Sequence, residues 1–468
     1  LLPRHLCSAA VLLTAAASLQ AGPVDLEKKI HALLDQDQIY SSLPGDDFLA
    51  LGEDFVLPDG GKSVTSLALA APGGAFDPRA LEKIPAATLG YEAKWCVERF
   101  KSYNMDWDIT GLRLTSNDPE AKKYPWLVIM NGGAANVYEF YVDLKSQPGW
   151  GQFLAQKLNV LIVTIPGNFK YGGWSQPIKD ETRQPAYLLD RDLPIAENEV
   201  RNAIFTNRLI MKGLEQLVMK NTTGDIFMIG HSTSGELAWL SYEYPALAAR
   251  LKGRFLGWGS GGPARAHALQ SAKEPGARDS EGGMGTMKPL QILNRRDAQG
   301  YAHGYSGWLN PLYEPGMSHL QIGQKWMEAE GVRRPMFKQP LQDMEHSAAG
   351  WKFKGEVERQ IQALLDKTGN PWGVDIDEVN KDLFSTAFTR MDTANQIVWC
   401  VGHYDRNHWL PEDPTKAWEY FLAKEYRLKN PQAKVRIMVW DVPMTHYGHV
   451  EKPKQLAAAF YSVVRWYK

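Results

Sequence analysis

A chain of 468 residues is too long for one minimal hydrophobic core and implies either one large domain with insertions or two domains. Its composition, 44% hydrophobic and 22% charged, is that of an ordinary globular protein. A formal net charge of -1, with no long run of like charge, provides no field for nucleic acid or an anionic membrane surface, so neither is an expected partner.

Leu1-Leu2-Pro3-Arg4-His5 precedes an apolar stretch from Ala9 to Leu19, with the small residues Ala15, Ala17 and Ala21 near its end. The pattern is that of a secretory signal over 1–21: the apolar run is too short to span a bilayer, and no amphipathic face marks it as a packed helix. The expectation is export, to the periplasm or outside the cell, with no membrane span once the signal is removed. Cys7 would leave with it. Cys96 and Cys400 remain, too few for a disulfide framework or a zinc cluster. Buried thiols are expected, and a single bridge stays open.

Residues 22–94 read as an extension packed on the core. Leu26, Ile30 and Leu33 suggest a short helix, and Pro58-Asp59-Gly60-Gly61 and Pro72-Gly73-Gly74 break the rest of the extension into loops. A first part of the core spans 95–262. Trp95–Ser102 and Trp107–Thr115 pair as an antiparallel edge. Trp126–Met130 and Val160–Ile165 are continuous apolar runs that stop at glycine-rich loops, and a helical pattern runs from Glu197 to Lys220. Further strands are expected at Ile226–Ile229 and Arg254–Trp258. Strands alternating with helices and ending in glycine-rich loops imply an α/β fold whose parallel sheet carries its chemistry at the carboxyl edge. Residues 263–395 read as a cap inserted between the sixth and seventh core strands. Residues 396–468 return to the core, with strands at Gln396–Gly402 and Val435–Trp440 and a last helix from Lys454 to Tyr467.

Gly230-His231-Ser232-Thr233-Ser234-Gly235 separates a buried strand from a helical pattern. A tight turn of this kind presents a serine hydroxyl only where the residues two before and two after it are small. Centring on Ser232 places Gly230 and Ser234 there, whereas centring on Ser234 would place Glu236 there, so Ser232 is the nucleophile candidate. The stretch resembles the nucleophile elbow Gly-x-Ser-x-Gly of the α/β-hydrolase superfamily, with Ser234 in the last place. That resemblance, at superfamily level only, covers about Trp95–Gly262 and Gln396–Lys468. It implies a mostly parallel, eight-stranded-type sheet flanked by helices.

An unassisted serine hydroxyl is a poor nucleophile and needs a base oriented by an anion. In the superfamily's chain order both follow the serine, acid first. Asp405 directly follows the seventh strand, in Gly402-His403-Tyr404-Asp405; Asp392 and Asp441 fit less well. His446, Glu451 and Pro453 reproduce the superfamily spacing His-x-x-x-x-(Glu/Asp)-x-Pro, which makes His446 the preferred base; His449, after Gly448, is the alternative. His231, His403 and His408 lie near the same edge and read as packing or pocket residues. Oxyanion donors are expected from the Thr233 N–H and from Ala134 or Ala135, in Asn131-Gly132-Gly133-Ala134-Ala135. Tyr138, Phe140, Tyr141, Tyr171, Trp174, Trp308 and Trp409 are candidates for an aromatic-walled pocket.

The resemblance implies an exported serine hydrolase acting on a small or polymeric carboxylic ester through an acyl-enzyme, with no metal or organic cofactor. A serine peptidase or amidase would use the same triad. A non-catalytic binding module on the same scaffold would not bring Ser232, Asp405 and a histidine together.

Overall fold

One nine-stranded sheet organises the molecule. The residues described in this computed structural model are 23–70, 78–130, 140–141, 147–164, 200, 207–231, 234, 237–238, 241, 244–256, 344–347, 350–353, 355–383, 397–402, 424, 427–428, 431, 435–441 and 448–466. The expected signal segment, residues 1–21, lies outside them.

Helix α1 (Pro23–Asp35) leads into strand β1 (Tyr40–Pro44). Strands β2 (Tyr91–Ser102) and β3 (Met105–Ser116) form an antiparallel hairpin paired along its whole length, from Tyr91 opposite Ser116 to Ser102 opposite Met105. Each begins earlier than the predicted Trp95 and Trp107, on the buried apolar residues Tyr91 and Met105, because the alternation of buried and exposed positions starts there.

Strand β4 (Trp126–Met130), helix α2 (Trp150–Leu154), strand β5 (Val160–Thr164), helix α3 (Asn207–Asn221) and strand β6 (Ile226–Gly230) come next. Every position of β4, β5 and β6 is buried, as expected of parallel strands covered on both faces. Helix α4 (Pro245–Arg250) runs into strand β7 (Leu251–Leu256), three residues earlier than the predicted Arg254 start. Its pairing with β6 starts at Leu251 opposite Ile226 and shifts register before Phe227 meets Gly253, so a polar Lys-Gly pair is drawn into the strand.

Between β7 and the next core strand lie a two-stranded sheet of β8 (Met344–Ser347) and β9 (Gly350–Phe353) and helices α5 (Gly355–Thr368) and α6 (Ile376–Leu383). The β2–β3 turn is tied to this segment, since Asn104 donates from its backbone to the Trp372 carbonyl at 2.9 Å and from its side chain to the Pro371 carbonyl at 3.1 Å. Strands β10 (Ile397–Gly402) and β11 (Val435–Asp441) complete the sheet, and helices α7 (Gly448–Glu451) and α8 (Pro453–Trp466) end the described chain.

The sheet order is β1-β11-β10-β7-β6-β4-β5-β3-β2, with only β3 running against the rest. Among the described residues the sheet has nine strands, the eight expected of the core and one more. The extra one is β1, which the extension contributes in parallel to β11, from Tyr40 opposite Ile437 to Pro44 opposite Asp441. On one face α8, α1 and α2 cover Leu127, Ile129, Val160, Ile162, Phe227 and Ile229. On the other, α3 packs on β2, β3 and β5 with Leu214 and Leu217 buried.

The extension belongs to the main core. Leu26, Ile30 and Leu34 are buried along one face of α1. Several links fasten the helix, among them Arg436 Nε, which donates to the Leu34 carbonyl at 2.9 Å, Arg465, which pairs with Glu27 at 2.9 Å, Trp466 Nε1, which donates to Asp35 at 2.8 Å, and the His31 ring, which meets the Ser462 carbonyl at 2.7 Å. Replacing Ile30, 0% exposed, by Ala is expected to cost about 2–5 kcal/mol. A lower urea midpoint for the whole unfolding transition would verify it, and a separate early transition would mean that the extension melts alone.

Cys96, on β2, is a free buried thiol. Cys400 lies on β10, six strand steps away; at about 4.8 Å per step that is roughly 29 Å, against a limit of about 7 Å between the α-carbons of a disulfide. The bridge left open by the sequence does not form. Burial pushes the Cys96 thiol up to about 11, so at pH 8 a disulfide-exchange reagent is expected to modify Cys96 only after unfolding.

Candidate active site at the carboxyl edge of the sheet

Strand alternation directs Phe227, Ile229 and then His231 to the α8 face of the sheet. His231 is 2% exposed, and its backbone N–H donates to the Met130 carbonyl at 3.1 Å, extending the β4–β6 ladder one residue past Met130 opposite Gly230. The Ser234 N–H donates back to the His231 carbonyl at 3.0 Å, closing a tight turn at the strand-to-helix junction. Ser234, Leu237 and Ala238 are buried beyond it.

His449 reaches the same place from α7. It is 0% exposed, and its ring lies 4.9 Å from that of His231 (centroid to centroid) in an edge-on arrangement. Phe140 covers both, at 4.8 Å from His449 and 5.9 Å from His231, and rests in turn on Trp150 at 5.8 Å. Trp150 packs edge-on against Phe460 of α8 at 5.0 Å. These rings join the end of β6, the segment after β4 and the segment after β11.

Two devices fix Phe140. Gly151 allows its close approach, since a Cβ there would lie 3.0 Å from the Phe140 carbonyl oxygen and 2.7 Å from Ile162 Cδ1. The neighbouring Tyr141 is fully buried, its hydroxyl 2.5 Å from that of Tyr91, and its carbonyl accepts from the Gly149 N–H at 3.0 Å and from Gln152 Nε2 at 2.8 Å. Phe140 and Tyr141 were candidates for a pocket wall; both are core residues that pack beneath the edge.

The predicted Ser232, Thr233, Ala134, Ala135, Asp405 and His446 lie outside the described residues, as do Tyr138, Tyr171, Trp174, Trp308 and Trp409. Their flanks are described. Met130 ends β4, Gly230 ends β6, Gly402 ends β10 and Asp441 ends β11. The four strands run parallel, so these ends share one sheet edge. Counted from β2, the eight core strands are ordered 1-2-4-3-5-6-7-8, with only the second reversed. This is the α/β-hydrolase fold.

No family model and no curated protein matches the sequence. Solved structures of similar outline include brefeldin A esterase, described as a bacterial homologue of human hormone sensitive lipase, at 13% identity over 95% of this chain and 94% of that one (TM-score 0.36). The proline iminopeptidase of Mycobacterium smegmatis has 13% identity over 80% of this chain and 98% of that one (TM-score 0.37). An epoxide hydrolase of Vigna radiata has 11% identity over 79% and 98% (TM-score 0.37). The α/β-hydrolase fold rests on strand order and direction rather than on these similarities.

Among the described residues no group of three or more His, Cys, Asp or Glu is placed to hold a metal ion, and no helix is long and apolar enough to cross a membrane. The contact that the sequence did not foretell is the one between His231 and His449. The alternation of Phe227, Ile229 and His231 along β6 signals the face that His231 takes but not its partner.

Burial raises the Tyr91 and Tyr141 hydroxyls above the usual tyrosine value of 10.0. Both are harder to ionise folded than unfolded, so their contribution to stability is complete below pH 10 and falls as pH rises above it. Titration of phenolate absorbance should leave Tyr91 and Tyr141 un-ionised in the native protein at pH 11, and Tyr461, which burial pushes up to about 12, largely so. Tyr91→Phe should lower stability by about 0.5–1.5 kcal/mol at pH 7, measured by urea unfolding.

Proposed function

We propose that this chain is an exported serine hydrolase that cleaves carboxylic esters. The observation that carries the reading is the shared strand edge: Ser232 comes two residues after the end of β6, Asp405 three after β10 and His446 five after β11, on neighbouring or near-neighbouring parallel strands. Ala134 and Ala135 come after β4, which adjoins β6. In this reading a nucleophile, an acid, a base and an oxyanion loop follow the ends of strands that share one edge, in the chain order of the α/β-hydrolases that the sequence resembles.

In this reading His446 takes the Ser232 proton as the oxygen attacks the ester carbonyl. Asp405 orients the imidazole and stabilises its protonated form. The Thr233 N–H and an N–H of the Ala134–Ala135 loop hold the oxyanion. Collapse expels the alcohol, which receives the proton from His446; water then gives a proton to His446 as it attacks the acyl-enzyme, and the Ser232 oxygen takes that proton back as the carboxylic acid leaves. Burial of His449 favours His446 as the base: His449 is enclosed by Phe140 and His231 on the α8 face and suits a positioning role, holding α7 against the end of β6.

The test is hydrolysis of p-nitrophenyl acetate and butyrate, with mass analysis after treatment with a fluorophosphonate. Ser232→Ala should abolish labelling and lower turnover by about 10³–10⁶. His446→Ala should cost at least the roughly 10²–10⁴ of a lost general base, and His449→Gln less than that. The reverse ranking would assign the base to His449. Folded wild-type protein that the probe does not label would overturn the hydrolase reading.

A further inference from the structure

A cleft of about 850 Å³ opens at the other end of the sheet, where the parallel strands begin. Trp126 and Lys252 on β4 and β7, Asn159 and Asp225 just before β5 and β6, and Ser116 at the end of the reversed β3 all line it. Across a five-residue strand it is roughly 15 Å from the edge that carries Gly230. The candidate catalytic residues have no part in it.

Five cations line this cleft, Arg113, Lys122, Lys123, Lys220 and Lys252, against one carboxylate, Asp225. Two positive charges remain in excess after counting Glu120 and Glu98, which pair Lys123 at 2.7 Å and Lys220 at 2.6 Å. In a chain whose formal net charge is -1, this is a local concentration of one sign. Lys252 pairs with Asp225 at 3.5 Å; the lysine side chains of all three pairs are more than half exposed, and such surface pairs contribute at most about 1 kcal/mol each, so an incoming anion can replace the carboxylates. Lys122 has no ion pair among the described residues. Arg113 donates to Thr115 Oγ1 at 3.3 Å and stands directly across the β2–β3 ladder from Lys94, a like-charge placement that costs stability.

Hydroxyl and amide groups share the lining with the cations, among them Thr115, Asn159 and the exposed Thr223. The volume suits a ligand of several rings rather than a lone ion. The aromatic residues of the lining, Tyr124 and Trp126, are only 8% and 7% exposed and present no face for stacking a nucleobase. We propose that the cleft binds an anionic oligosaccharide, a hydroxyl-bearing chain carrying carboxylate or sulfate groups, at the edge opposite the candidate catalytic edge.

The experiment is calorimetric titration of the full protein with tetragalacturonate and with a heparin-derived tetrasaccharide, beside maltotetraose, inorganic sulfate and a single-stranded oligonucleotide of equal charge. At least one of the two anionic sugars should bind, maltotetraose should not, and raising salt from about 20 to about 200 mM should weaken the binding. The double variant Arg113→Gln/Lys122→Ala, its fold checked by circular dichroism, should bind the anionic sugar at least about 10-fold more weakly. It should hydrolyse p-nitrophenyl acetate at the wild-type rate, so failure here and failure of the proposed hydrolase activity are distinguishable. Absence of binding by both anionic sugars would overturn the proposal. So would unchanged affinity in the variant, binding of sulfate alone with equal strength, or tighter binding of the oligonucleotide.

Discussion

Burial of both faces of three adjacent parallel strands is the constraint on which the rest of the structure depends. Strands β4, β5 and β6 have no solvent-facing side, so helices must cover the sheet above and below. Parallel strands need crossover connections, which return each chain segment to the same starting end. The two ends of the sheet therefore differ in kind. One collects the loops that leave the strands and the other collects those that enter them. The rings gathered around His231 and His449 belong to the first, and the cation-lined cleft to the second.

Rigidity at the first end comes from beneath. Phe140, Trp150 and Phe460 form a continuous stack from the end of β6 to the C-terminal helix. The hydroxyl pair of Tyr91 and Tyr141 and the missing side chain of Gly151 set the position of that stack. A side chain on such a foundation has few alternatives, as preorganised chemistry requires.

How much of this was legible in the sequence depended on range. Residues 126–130, 160–164 and 226–230 announce themselves because double burial turns alternation into unbroken apolar runs, a signal local to five residues. Tyr40-Ser-Ser-Leu-Pro44 carries no such signal. It is short, half polar and ends in proline, and it becomes a strand only because the edge of β11 is available to pair with it. Helix α1 was legible as a helix, but its third buried position is Leu34 rather than Leu33, since the partner surface on β11 and α8 decides which face turns inward. The start of β7 was missed for a similar reason, a register shift against β6 that pulls Lys252 and Gly253 into the ladder. At the candidate site, the order of strand ends could be read from the chain. The contact between His231 and His449 could not, because its two halves are more than two hundred residues apart.

The pairing of β1 with β11 also orders events in time. Tyr40 and Ile437 are roughly 400 residues apart, among the longest-range contacts a chain of this length can make. On a ribosome the first strand emerges early and waits for the last, and until then β1 lacks its ladder and the apolar stripe of Leu26, Ile30 and Leu34 lacks α8. A nascent chain truncated anywhere before β11 carries β1 unmated and the apolar face of α1 uncovered. Until β11 and α8 arrive, this seam offers an open strand edge and an apolar face to a chaperone.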